Sequence, residues 1–200
     1  MLRVVCFPDF GCGGVLCASL NNEKVKMTDE GHMPSESHDQ LKLSSSTMNF
    51  NLDRWNKVVS DVSDNDRLKW LGTHSHPLDI YTRDEVEHII YVNIASMESR
   101  SFLALRQCKT EKQYKMTCIE MVLKERYPCG SPWAELLTSD KVTCIDLYHL
   151  VNTPDYRKLV LGRFHYEESI WETWYKSNDF KEDMPVALAA FVNVFIRPTD

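Results

Sequence analysis

The sequence predicts an α/β fold in which a mixed β-sheet is flanked by helices and followed by a C-terminal extension. Strand-like segments alternate with segments whose apolar residues recur at helical spacing, and several strand-like segments follow one another. Of the 200 residues, 43% are hydrophobic and 26% are charged. These proportions are those of soluble globular domains, so they exclude disordered and fibrous classes. The length predicts one domain, with or without an appendage.

Charge and apolar patterning exclude several classes of partner. The formal net charge of −6 argues against binding to nucleic acid or anionic membranes through overall charge. No uncharged apolar run approaches the roughly 20 residues of a transmembrane helix, and the first ten residues lack a signal-peptide pattern. We therefore expect a cytoplasmic or nuclear protein without nucleic-acid binding or membrane insertion. The seven cysteines then indicate reduced thiols, some of them candidate metal ligands.

Each predicted element depends on the period of its apolar residues and on the residues that bound it. Short β-branched or alternating runs between Gly, Pro or Asn predict strands, and apolar residues three or four apart predict helices. Thr82 and Glu85 also fit a capping box, in which a hydroxyl residue and a glutamate three positions later begin a helix. In chain order, the predicted elements are strands over 2–7, 15–20 and 23–27, a helix over about 52–62, a strand over 68–75, a helix over about 82–97, strands over 101–107, 113–123 and 141–147, a helix over 165–177, and a buried helix or strand over 186–196.

The His-Ser-His-Pro motif at 74–77 carries the strongest chemical signal. It follows an apolar strand, and side chains at positions i and i+2 of a strand point the same way, so we expect the two imidazoles to converge. Imidazole is well suited to zinc, and a catalytic zinc site needs a third ligand and an open water position. A helix beginning at Thr82 would direct Asp84 or Glu85 towards this metal, and we expect His88 to be a partly exposed helix residue.

With its flanking residues, this motif resembles the JAMM/MPN metalloproteases, which carry His-x-His-Pro followed by Ser-x-x-Asp at a helix start. The branch it resembles most is the AMSH-type (STAM-binding-protein-like) deubiquitinases. Their Cys-Gly-Ile-Leu-Cys-Gly strand is similar to residues 13–18, and their Gly-Trp-Ile-His-Thr-His-Pro is similar to residues 70–77. With looser likeness further along, the resemblance covers about residues 9–147.

The resemblance implies a zinc-dependent isopeptidase that hydrolyses bonds to ubiquitin or a ubiquitin-like modifier. The implied architecture is an MPN (cytidine-deaminase-like) domain over 1–147 and an extension over 148–200 that packs on it or forms a partner surface. His74, His76 and Glu85 would hold Zn2+, and the Thr82 hydroxyl would stabilise the oxyanion. In such a site zinc activates water, a carboxylate takes the water proton, and a hydroxyl donor stabilises the developing charge.

The helix-start positions of this family can be aligned with the chain in two ways. Thr82 and Glu85 retain a hydroxyl and the capping-box spacing, although Glu85 is one methylene longer than the aspartate of the family. An ungapped alignment instead places Asp84 and Glu87 at the serine and aspartate positions.

The general base of the family has no direct counterpart. Its glutamate aligns with Phe10 or Gly11, and Asp9 is the nearest carboxylate in sequence. If Asp9 does not act as the base, the resemblance implies a catalytically inactive MPN scaffold that binds other subunits of a complex. Only Cys129 matches the second-zinc cluster of the AMSH branch. A third alternative is an unrelated structural or metal-binding domain in which the motif is a coincidence.

Overall fold

The described part of the chain is a parallel sheet with helices on both faces. The computed structural model describes residues 1–7, 12–23, 52–74, 76–94, 96, 98–100, 102 and 131–178. The strands, in the spatial order β2-β1-β3-β4, are β1 (Leu2–Cys6), β2 (Trp70–Thr73), β3 (Val86–Asn93) and β4 (Val142–Asp146). The helices are α1 (Gly13–Asn21), α2 (Leu52–Asp61), α3 (Ser131–Thr138), α4 (Leu147–Asn152), α5 (Pro154–Leu161) and α6 (Glu168–Asn178), with 3-10 turns at Asp66–Leu68, Pro77–Asp79 and Gly162–Phe164.

The α/β class is confirmed, but the described strands do not form the mixed sheet predicted from the sequence. β1 pairs in parallel with both β2 and β3, and β3 pairs in parallel with β4. Parallel strands are covered on both faces and therefore have apolar residues on both sides. In the described residues no helix is long and apolar enough to cross a membrane.

Two hydrophobic clusters cover the two faces of the sheet. On the first face, Val5 and Ile90 pack with residues of α1, α4 and α6. On the second face, Val4 and Leu71 pack against Trp55 of α2. Successive strand residues alternate between the clusters, as the period of a strand requires.

α1 replaces the strand predicted over 15–20. Seven of its nine residues are buried, so the segment shows no polar face that would reveal a helical period. Short apolar runs of this kind fit a buried strand or a buried helix equally well. Asn22 (φ 50°, ψ 45°) ends this helix in the left-handed conformation.

β3 replaces the helix predicted from Thr82 to about Met97. Leu2 pairs with Val86 and Arg3 with His88, so Glu87 is an extra residue in β3. This bulge shifts the alternation by one position and gives the apolar residues of the segment a false helical spacing. Thr82 lies in a turn that precedes a strand, so its expected role as a helix cap is wrong.

The side chain of Asn21 covers the start of the outer edge of β2. The Asn21 Oδ1 accepts a hydrogen bond from the Trp70 N–H (2.7 Å), and its Nδ2 donates one to the Trp70 carbonyl (3.0 Å). These two bonds reproduce those of a neighbouring strand, so the end of α1 is fixed to the sheet.

The helices that follow β4 share the core of the sheet. Trp171 and Trp174 are 1% and 2% exposed and lie in the same cluster as Val5. The buried Arg157 forms an ion pair with Glu168 and donates from Nη1 to the carbonyls of Leu150 (2.6 Å) and Val151 (3.1 Å). This guanidinium joins α4, α5 and α6, on the C-terminal side of the boundary predicted at residue 147.

The structure confirms several other predicted elements. These are the strands over 2–7, 68–75 and 141–147 and the helices over 52–62 and 165–177, which correspond to β1, β2, β4, α2 and α6. Phe102, predicted to lie in a strand, is helical. The strand predicted over 113–123 and the segment over 186–196 lie outside the described residues, as does all but one residue of 23–27 and of 101–107.

Candidate ligand site at the carboxyl edge of the sheet

The strand order places a topological switch point between β1 and β3. From β1 the chain continues to β2 on one side and then returns past β1 to β3 on the other. Connections to the two sides therefore diverge at the carboxyl ends of β1 and β3. In open parallel α/β sheets this divergence leaves a crevice, and ligands bind in it.

A close contact joins the end of β1 to the start of α1. A Cβ on Gly13 would lie 2.2 Å from the Cε2 and Cζ atoms of Phe7, so no side chain larger than hydrogen fits there with the ring in place. Cys12, directly before Gly13, is in the left-handed conformation (φ 64°, ψ 17°), and its side chain does not cap the helix. The first turn of α1 contains no acidic residue. The amino end of α1 therefore lies uncapped by Cys12 at the carboxyl end of β1.

His74 lies beside Phe7 at the end of β2. The two rings meet edge to face with centroids 4.5 Å apart, and His74 Nδ1 is 3.2 Å from the Phe7 carbonyl oxygen. A carbonyl only accepts hydrogen bonds, so this contact places the proton on Nδ1 and leaves the lone pair on Nε2. His74 can therefore accept a hydrogen bond or bind a metal through Nε2.

His76 has the opposite hydrogen-bond pattern. Its Nδ1 accepts from the Leu78 N–H (3.3 Å) as the cap of the Pro77–Asp79 turn. In a neutral ring with this bond, the proton resides on Nε2, and neither nitrogen presents a lone pair to a metal. The two histidines lie at the same edge of the sheet, and their Nδ1 atoms have opposite hydrogen-bonding roles.

Hydrogen bonds connect the ends of β3 and β4. The Ser96 hydroxyl donates to Asp146 Oδ2 (2.6 Å) and accepts from the Ser99 N–H (3.1 Å). The other carboxylate oxygen of Asp146 caps α4 by accepting from the His149 N–H (3.0 Å). The backbone after β3 is thereby held to the start of α4.

Arg100 adds a cation to this edge. It is 4% exposed, and its Nε donates to the carbonyl of Ile94, the residue directly after β3 (3.0 Å). Its backbone N–H donates to the Ser96 carbonyl (3.2 Å). The guanidinium is thus held beside the carboxyl end of β3, one of the two strands that bound the crevice.

Glu85, the third zinc ligand predicted from the sequence, lies at the amino ends of the strands, whereas His74 lies at their carboxyl ends. The Glu85 carbonyl accepts from the Leu2 N–H (2.7 Å) at the start of β1, whereas His74 follows Thr73, which pairs with Cys6 at the end of β1. Glu85 and His74 are therefore separated by four to five residues along the strand direction, which corresponds to about 15 Å.

The alternative helix-start residues do not reach the histidines either. The carbonyl of Arg83, next to Thr82 and Asp84, accepts a hydrogen bond from Nζ of Lys141, which directly precedes β4. Glu87 is the extra residue of the β3 bulge, and its carboxylate pairs with Arg3 (3.5 Å). Asp9, the expected general base, lies outside the described residues. Among the residues that the structure describes, no three His, Cys, Asp or Glu side chains are grouped to hold a metal.

Three of the described cysteines, Cys6, Cys12 and Cys17, belong to the hydrophobic core, and Cys144 is partly exposed. Cys6 and Cys17 are fully buried, and burial raises the pKa of both thiols. Burial also raises the pKa of Cys144, which accepts a hydrogen bond from Asn93 Nδ2 (2.8 Å). A buried thiol with a raised pKa stays protonated at neutral pH, so Cys6, Cys17 and Cys144 act as small hydrophobic residues.

A cavity of about 1050 Å³ lies between α4, α5 and α6. Its buried cation, Arg157, is paired with the half-buried Glu168. The other charged side chains that line it are of both signs, and Glu172 pairs with Lys176 (3.8 Å). These charges favour neither an anionic nor a cationic ligand, so we place the candidate site at the carboxyl edge.

Sequence reasoning found His74 but missed Ser96, Arg100 and Asp146. Their signal was a position at the end of a strand or in the segment after it, and it was hidden for Ser96 and Arg100 because β3 was predicted to be a helix. No family model, curated protein or solved structure matches this chain, so its resemblance to the JAMM/MPN metalloproteases stays a prediction from the sequence.

Proposed function

We propose that this protein binds a phosphate-bearing small molecule, such as a nucleotide, at the carboxyl edge of its sheet. The observation that carries the proposal is the switch point between β1 and β3, because the crevice at such a point is the usual ligand site of open parallel sheets. The amino end of α1 follows β1, and Arg100 follows β3. Both bring positive potential to the two strands that bound the crevice.

The chemistry of α1 suits an anion. The first N–H groups of a helix lack partners within the helix and carry a partial positive charge, which favours phosphate. Gly14 stands in the first turn of α1, where the lack of a side chain lets a ligand approach the backbone. The absence of an acidic residue in the first turn avoids repulsion of a phosphate.

Arg100 suits the same ligand. A guanidinium presents planar donors that match phosphate oxygens, and its charge-assisted hydrogen bonds are stronger than neutral ones. Burial strengthens these bonds further, because water screens them less. The bond from Nε to the Ile94 carbonyl holds the side chain in place beside β3.

Isothermal titration calorimetry with inorganic pyrophosphate and with ADP tests this proposal. The wild-type protein should bind at least one of them, with an affinity that falls as salt rises. Arg100→Met should weaken binding about 10- to 100-fold, because a hydrogen bond from a charged group contributes about 1.5–3 kcal/mol. Arg100→Lys should retain part of the affinity. Lys158→Met is the matched control, since it removes one positive charge from an exposed position of α5.

Thermal unfolding of each variant without ligand separates lost binding from lost folding. The absence of binding of either probe at millimolar concentration by the folded wild type would refute the proposal. An equal loss of affinity in Arg100→Met and Lys158→Met would show that the overall charge of the protein, and not a contact with Arg100, accounts for the weaker binding.

A zinc-dependent isopeptidase with an MPN fold, acting on ubiquitin or a ubiquitin-like modifier, is the second candidate. What supports it is the resemblance at 74–77 and the position of His74 at the end of β2, where its Nδ1 lies 3.2 Å from the Phe7 carbonyl oxygen. The described residues do not fit a three-ligand zinc site, because Glu85 is remote and His76 holds its Nδ1 on Leu78. A catalytically inactive MPN scaffold that binds other subunits also stays a prediction, supported by the same resemblance.

Zinc titration of the wild type and of His76→Ala tests this second candidate, together with cleavage of di-ubiquitin with and without a chelator. Stoichiometric zinc that His76→Ala loses, together with chelator-sensitive cleavage, would favour the isopeptidase over phosphate binding. Equal zinc binding and cleavage in both proteins would exclude His76 as a ligand.

A further inference from the structure

His88 of β3 lies at the junction between the sheet and the Gly162–Phe164 turn, which connects α5 to the segment before α6. Its ring contacts Phe164 of this turn at 5.0 Å and Trp70 of β2 at 6.0 Å, measured between centroids. Trp70 and Phe164 also meet edge to face at 5.1 Å. Three aromatic rings therefore dock the turn on the first face of the sheet.

A directed chain of hydrogen bonds runs through the same junction. Arg163 Nη2 contacts the Thr143 hydroxyl, which lies 2.8 Å from His88 Nε2. Arginine only donates, so the Thr143 oxygen accepts from Arg163. Arg163 Nη2 also lies 3.5 Å from His88 Nε2, so Nε2 acts as an acceptor and the Thr143 hydroxyl directs its proton to it. The chain is complete only when Nε2 of His88 carries no proton.

The charges around His88 also favour its neutral form. Burial lowers the pKa of the imidazole most, and the cations Arg163 and Arg3 lower it further, while Glu87 opposes them. These groups approach from the turn, β1 and β3. The partners on β2 and β4, Trp70 and Thr143, are neutral.

We propose that His88 is a proton-operated latch, whose protonation releases the Gly162–Phe164 turn from the sheet. A proton on Nε2 reverses the hydrogen bond to Thr143 and makes this hydroxyl accept from two cations. It also places an imidazolium 3.5 Å from Arg163 Nη2. Both changes act on the turn that carries Arg163 and Phe164 and leave the strand pairing intact. The latch is independent of the ligand proposed above.

Hydrogen exchange of the amides of residues 162–166, read between pH 5 and 8 and corrected for intrinsic rates, tests the latch. Proton NMR of the His88 ring gives its midpoint in the same samples. In the wild type, exchange should accelerate as the pH falls through the His88 midpoint, by up to about tenfold for each unit by which docking lowers that midpoint. His88→Gln should remove the pH dependence. His165→Gln, which removes an exposed histidine next to the turn, should retain it.

Arg163→Gln provides a second readout that does not depend on the folding of His88→Gln. Removal of this neighbouring cation should raise the His88 midpoint towards 6.5, the ordinary value. The latch is refuted if exchange at 162–166 stays pH-independent while His88 titrates, if His88→Gln keeps the wild-type pH dependence, or if Arg163→Gln leaves the His88 midpoint unchanged.

Discussion

Replacement of Gly13 by alanine should destabilise the protein through one identified contact. The new Cβ would stand 2.2–2.3 Å from three ring carbons of Phe7, whereas carbon atoms pack at about 3.5–4.0 Å. The Phe7 ring would have to retreat by more than about 1 Å. It is 3% exposed and surrounded by the core, so it has little free space to move into.

The size of the effect follows from two opposing contributions. Forcing an extra methyl group into a packed core costs about 1–3 kcal/mol. Alanine is better than glycine inside a helix by about 1 kcal/mol, but Gly13 is the first residue of α1, where this gain is smaller. We therefore expect Gly13→Ala to lower the free energy of unfolding by about 2 kcal/mol.

Urea unfolding of a double-mutant cycle with Phe7→Leu measures this contact. If the ring is the obstacle, alanine at position 13 should be nearly neutral once Phe7 is leucine, with a coupling energy of about 1–2 kcal/mol. Gly162→Ala is the matched control, because a Cβ there meets no atom within 4 Å, and it should be neutral or slightly stabilising. A loss that is the same in both Phe7 backgrounds would refute the steric argument, and so would wild-type stability of Gly13→Ala.

Two further predictions concern ionisable groups. Glu168→Gln should lower the free energy of unfolding, measured in urea, by about 1–3 kcal/mol, because it leaves the buried Arg157 without its carboxylate. Glu172→Gln is the control, since the pair of Glu172 with Lys176 is exposed, and it should change the free energy of unfolding by less than about 0.5 kcal/mol. Equal effects of the two substitutions would contradict this account. Burial raises the pKa of the Asp79 carboxyl, so the native state holds that proton more tightly than the unfolded chain, and this contribution is lost as the pH rises through the raised pKa. Asp79→Asn should therefore be more stable than the wild type at pH 7, with a difference that shrinks as the pH falls towards the ordinary aspartate value, and a difference that is constant from pH 4 to 7 would refute this assignment.

The two misassigned elements share a physical cause, which is burial on several sides. α2 has an exposed polar face and one apolar face, and its sequence predicts it correctly. α1 lies between the sheet and α6, so nearly every residue is apolar and the helical period disappears. β3 is covered on both faces and contains a bulge, so its apolar residues fall three and four apart. Its content of Val, Ile and Tyr favours a strand, and this composition was the better signal.

The candidate site could be predicted only in part for the same reason. His74 follows a short strand whose apolar run is clear in the sequence, and its place at the sheet edge followed from that. Arg100 and Ser96 follow β3, so the prediction of a helix there concealed that they reach the same edge. The ion pair between Arg157 and Glu168 joins residues that are eleven positions apart and belong to different helices, which no local pattern indicates.

The crossover from β2 to β3 decides which residues can act together with His74. The chain leaves the carboxyl edge after His76, passes Ile80 buried on the second face, and reaches the amino edge at Glu85. In a parallel sheet every connection returns the chain to the amino edge before the next strand begins. Among the residues that the structure describes, a ligand to a site at His74 is therefore expected at the end of a strand or in the segment that follows it. Thr82, Asp84, Glu85 and Glu87 come after the crossover has begun, so neither alignment of the helix-start motif brings its carboxylate to this edge. Ser96 and Arg100 follow β3, and Asp146 ends β4, so all three meet this requirement. Both carboxylate oxygens of Asp146 accept hydrogen bonds, from Ser96 and from the His149 N–H, and Arg100 supplies the positive charge that the proposed phosphate site needs.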